Sequence, residues 1–101
     1  MAITTEAIDK AVEISKKFGA SKVVLFGSSV DNLSSARDMD LAVAGLSGWN
    51  IIRLAAKLED ELKLNVDVVS LEPQDRFVTH ILNYGKVLLS GNVQKSLNNN
   101  S

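Results

Sequence analysis

The sequence predicts an α/β (α+β) domain, a small mixed β-sheet flanked by helices, with elements in the order α-β-β-α-β-α-β. Three observations predict it. Apolar residues recur at helical spacing in three stretches. Four short runs rich in β-branched residues, at 22–26, 38–44, 65–70 and 86–89, alternate with those stretches. Glycine or proline marks most of the junctions.

The first helix covers about 5–18, where Ala7, Ile8, Ala11, Val12, Ile14 and Phe18 form one apolar stripe. Thr4 or Thr5 can cap its start, Gly19 suits the position past its end, and Lys16 and Lys17 lie where the helix dipole favours cations. Lys22 to Phe26, set between Gly19 and Gly27, reads as a buried strand. The stretch 27–37 is polar and reads as a loop. A second strand over 38–44 begins polar and turns apolar, and 45–48 breaks it. A helix over about 49–64 follows, with Ile51, Leu54, Ala55, Leu58 and Leu62 at helical spacing, Ser47 as cap and Trp49 as a buried anchor at its start. The third strand is 65–70. Pro73 is expected to open a helix running to Tyr84 with Phe77, Val78, Ile81 and Leu82 buried, Gly85 to end it, and 86–89 to close the sheet. Residues 1–91 are expected to form one domain, and 92–101, with four asparagines and two serines, a disordered tail.

The 101 residues suffice for one compact core, and the 46% hydrophobic, 23% charged composition is that of a soluble globular protein. With no cysteine, disulfides, thiolate catalysis and cysteine zinc sites are excluded. One histidine leaves oxygen ligands as the only metal donors in quantity, which favours Mg²⁺. The net charge of −1 advertises no basic face for nucleic acid. No apolar run approaches the ~18 residues of a membrane span. The N-terminus has no signal-peptide pattern, so a cytoplasmic location is expected.

Asp38 and Asp40 are the chemically suggestive pair. Residues i and i+2 of a strand share a face, so the carboxylates project together while Met39 and Leu41 face the core. Like charges so placed repel each other unless a cation lies between them. Taken alone, Asp-x-Asp is most simply a solvated strand end. Asp67, flanked by Val66 and Val68, adds a third strand-borne acid, and neighbouring strands ~4.8 Å apart would let the three share a metal site. Gly27-Ser28 follows directly on the first strand, where glycine lets backbone approach a ligand and successive N–H groups can hold phosphate. His80, Arg53, Lys57 and the acidic run 59–61 read as solvated helix surface.

Taken together, Val24-Leu25-Phe26-Gly27-Ser28, nine intervening residues, Asp38-Met39-Asp40, and later Val66-Asp67-Val68-Val69 resemble the minimal nucleotidyltransferases of the DNA polymerase β-like superfamily. The resemblance spans about residues 5 to 90, including the closing Gly85-Lys86-Val87-Leu88-Leu89. It implies a palm-like nucleotidyltransferase fold. It implies further that Gly27 and Ser28 bind the triphosphate, that Asp38 and Asp40 hold Mg²⁺, and that Asp67 completes the metal site and activates an acceptor hydroxyl. The substrate it implies is ATP or another nucleoside triphosphate, with AMP from ATP the expected transferred group. Relatives carry basic residues soon after Gly-Ser; here Ser29-Val30-Asp31-Asn32 has none, and Arg37 is the candidate substitute. With no acceptor-binding domain expected, the acceptor is to come from another chain or a homodimer surface. The resemblance points to a helical HEPN-domain partner in a toxin–antitoxin pair. A binding module that neutralises such a partner by contact alone is the alternative.

Overall fold

The computed structural model describes residues 3–27, 30 and 38–90, and the expectations for Ser28, Arg37 and the 92–101 tail fall outside them. Among the described residues the elements are α1 (Thr5–Lys17), β1 (Lys22–Phe26), β2 (Asp38–Ala44), α2 (Gly48–Leu62), β3 (Asn65–Ser70), α3 (Arg76–Tyr84) and β4 (Lys86–Ser90). The order is the expected one. The sheet runs β3-β2-β1-β4; β1 is antiparallel to both β2 and β4, while β2 and β3, joined through α2, are parallel. A parallel pair needs a crossover of helical length, and α2 supplies it.

The strand period of two divides the sheet into two faces. On one, Val23, Leu25, Met39, Leu41, Val43 and Val66 meet Ala11 and Ile14 of α1 and Leu54 and Leu58 of α2. On the other, Val24 and Ala42 pack against Leu71 and against Val78 and Ile81 of α3. Both helices over the first face start on identifiable caps. The Thr4 hydroxyl accepts from the Ala7 N–H at 3.0 Å. Ser47 is the N-cap of α2 through its extended backbone, and its hydroxyl is engaged by the Asn50 amide at 3.3 Å.

Three local expectations are corrected. The third helix begins at Arg76 and not at Pro73. Asp75 caps it by accepting from the Val78 N–H at 2.9 Å, while Pro73 sits in a connecting turn closed by hydrogen bonds between Ser70 and Glu72. Phe77 is 53% exposed; at 100° per residue it lies on the flank of the Val78/Ile81/Leu82 stripe, and its ring meets Phe26 edge-on at 6.0 Å. Trp49 is 75% exposed and anchors nothing. Five residues before Leu54, it points about 140° away from it and falls opposite the Ile51/Leu54/Leu58 stripe.

Candidate functional site

The acidic positions lie at the end of the sheet where β1 finishes and β2 and β3 begin. Parallel pairing sets Asp40 directly beside Asp67 and Asp38 directly beside Asn65, so all four side chains share a face. This is the face that α3 covers further along, at Val24 and Ala42. Met39 and Val66, the alternating neighbours, are fully buried on the opposite side. The core on one face thus fixes which residues reach the other. Asp38 and Asp67 are exposed and Asp40 half-buried.

Partial burial raises the Asp40 pKa above its ordinary 3.8; the negative charges of Asp67 and Asp38 and a hydrogen bond with Asp67 raise it further. Asp38 has a different partner: the Asn65 amide donates to its Oδ1 at 3.2 Å. Sequence reasoning missed Asn65, although its place two residues before Asp67 puts it on the same face.

Gly27 completes the arrangement. Its φ is +80°, in the left-handed region. A Cβ built there would fall on the Oδ2 of Asp40 and stand 3.1 Å from its Cγ. The turn after β1 therefore holds bare backbone against a carboxylate, in space that any side chain would take. Phe26, the partner of Asp40 on β1, flanks it on the same face. Gly27 also borders a cleft of about 180 Å³, lined by Phe26, Val30, His80, Ile81, Tyr84 and Gly85 as well.

The donor set suits a hard divalent cation. It consists of carboxylate oxygens, one of which is held against two like charges that a cation would relieve. Among the described residues no group of three His, Cys, Asp or Glu side chains is gathered closely enough to hold a metal ion. The structure therefore brings Gly27, Asp38, Asp40 and Asp67 to one end of the sheet, with Asp38 turned to Asn65. No helix among the described residues is long and apolar enough to cross a membrane.

The family model described as polymerase β, nucleotidyltransferase matches residues 9–94. By structure the chain is similar to a minimal nucleotidyltransferase, at 30% identity and TM-score 0.63, over 76% of this chain and 84% of that one. It is similar also to a chain of a toxin–antitoxin complex with AMP-PNP, at 25% identity and TM-score 0.70, over 81% and 72% of the two chains. A third likeness, of fold alone, is to a chain from the complex of a tri-AMPylated Shewanella oneidensis HEPN toxin with its MNT antitoxin. Its identity is 24% and its TM-score 0.67, over 84% and 71%. No curated protein matches by sequence. With the family model covering most of the sequence and the sheet presenting its acids beside the Gly27 turn, the chain belongs to the polymerase β-like nucleotidyltransferases, as one of the minimal kind.

Proposed function

We propose that this protein is a Mg²⁺-dependent nucleotidyltransferase that transfers AMP from ATP to a hydroxyl on a helical HEPN-type partner, as the antitoxin of a cytoplasmic toxin–antitoxin pair. The observation that carries the proposal is the register pairing of Asp40 with Asp67 beside the side-chain-free turn at Gly27. The AMP-PNP in one structural neighbour and the AMP-modified HEPN toxin in another support the choice of nucleotide and acceptor.

In this reading Gly27 and Ser28 hold the triphosphate, and Arg37 contributes positive charge from just before β2. Asp38, Asp40 and Asp67 hold Mg²⁺, which supplies neutralisation of the charge on the reacting phosphates. The acceptor oxygen forms its bond to the α-phosphorus as the bond from that phosphorus to the β-phosphate oxygen breaks. Pyrophosphate leaves with the electron pair, and the hydroxyl proton passes to the Asp67 carboxylate. The chain's own work is alignment: the acids are fixed by strand pairing, and the phosphates are held close by a turn without a side chain.

The test is transfer of label from α-labelled ATP to a HEPN-type partner with Mg²⁺. Asp38→Asn and Asp40→Asn are each expected to lower transfer about a hundredfold or more while circular dichroism stays native. Unchanged transfer in both variants, or none with the wild type, would overturn the assignment. A second reading, neutralisation by contact alone, is favoured by the absence of basic residues in Ser29-Val30-Asp31-Asn32. Calorimetry separates the two: that reading requires tight partner binding with no ATP–Mg²⁺ affinity.

A further inference from the structure

The cleft that Gly27 borders has a composition that the acids do not account for. His80 and Tyr84 stand one helical turn apart on α3, and their rings stack with centroids 4.7 Å apart, tilted by 39°. Tyr84 is 71% exposed, so the stack leaves most of its surface uncovered beside the cleft. Phe26, Val30 and Ile81 give the cleft apolar walls. Gly85 lines it at the end of α3, where backbone alone can pass this close to β1: a Cβ there would meet the Ile81 carbonyl and Val24 Cγ1 at 2.6 Å.

We propose that this cleft is the nucleobase subsite of the protein and that Tyr84 is the residue on which the base stacks. The inference rests on the nucleotidyltransferase reading and adds to it the place and manner of base binding. Gly27 is the shared element: the Asp40 carboxylate lies against it and it also lines the cleft. A ligand that reaches from the cleft to the acids needs a flat ring joined by a short linker to a polyanion that can meet a cation, and a nucleoside triphosphate has that form. Any base has a face to stack, so a platform of this kind favours nucleotides over bare phosphate and takes most from the larger purine rings. A core role does not explain Tyr84, because the core on this face is made by Val78 and Ile81.

The experiment compares two probes by calorimetry in the presence of Mg²⁺: ATP, and inorganic tripolyphosphate, which lacks the nucleoside. Tyr84→Ala is expected to weaken ATP about fivefold or more and to leave tripolyphosphate unchanged. Tyr84→Phe, which keeps the ring, should retain ATP affinity. The position is exposed and alanine is a strong helix former, so the fold is retained. Equal ATP affinity in wild type and Tyr84→Ala would overturn the subsite, and so would a parallel loss of both probes. Wild type that binds tripolyphosphate as tightly as ATP sinks the subsite and spares the transferase reading. Wild type that binds neither sinks both.

Discussion

Asp40 sits where burial and two like charges act on one carboxyl, and each of these favours its protonated form. Its pKa is raised in the folded state, so the folded protein binds this proton more tightly than the unfolded chain does. The associated stability is present in full below the ordinary value of 3.8 and is lost as pH rises through the elevated one. Asparagine has nearly the same shape, can still donate to Asp67, and carries no such proton. The thermal midpoint of metal-free Asp40→Asn is therefore expected to exceed that of wild type, by a margin that widens as pH rises from about 3.8 and then levels off. A margin that narrows over that range, followed by circular dichroism, would contradict the assigned electrostatics. The substitution proposed to lower transfer is thus expected to strengthen the fold, a pattern of sites kept for chemistry at a cost in stability.

At the level of elements, α3 shows what a sequence displays and what it hides. Its capping residue is Asp75, and Asp75→Ala is expected to lower stability by about 1 kcal/mol, or roughly 4–8 °C in thermal midpoint. An unchanged midpoint would show that the Asp75–Val78 contact contributes nothing. Proline is common at the first helical position, and that preference drew the predicted start to Pro73. What decided the matter was Asp75 accepting the Val78 N–H, while Ser70 and Glu72 folded the intervening turn on themselves. The strands were legible because punctuation and β-branched runs are local; β1, β2 and β3 fall on their predicted bounds and β4 extends one residue further, to Ser90. Trp49 was legible as well, since helical geometry alone places it off the buried stripe, but its size suggested burial. The Asn65–Asp38 contact and the cleft shared by Phe26 and Tyr84 join residues far apart in the chain. Periodicity does not encode such pairings. The acids themselves were legible from spacing, while their convergence had to wait for the pairing of β2 with β3.

Over the whole molecule, β1 belongs to both cores. Val23 and Leu25 lie under α1 and α2, and Val24 lies under α3. Damage to either layer should therefore be felt by the other. Leu54→Ala on one face is expected to cost about 2–5 kcal/mol, and Val78→Ala on the other to be destabilising as well. Each should shift one cooperative transition, the same by calorimetry and by far-UV circular dichroism. Two separable transitions in either variant would show that the layers melt independently.

The parallel ladder of β2 and β3 carries a consequence for misfolding. Sliding β3 by a single position would turn Val66 and Val68 outward into water and drive Asp67 into the apolar layer beneath α2. A chain that loses the Asp40–Asp67 pairing in this way also forfeits part of its interior. Well-folded molecules with β3 out of register should accordingly be scarce in any preparation.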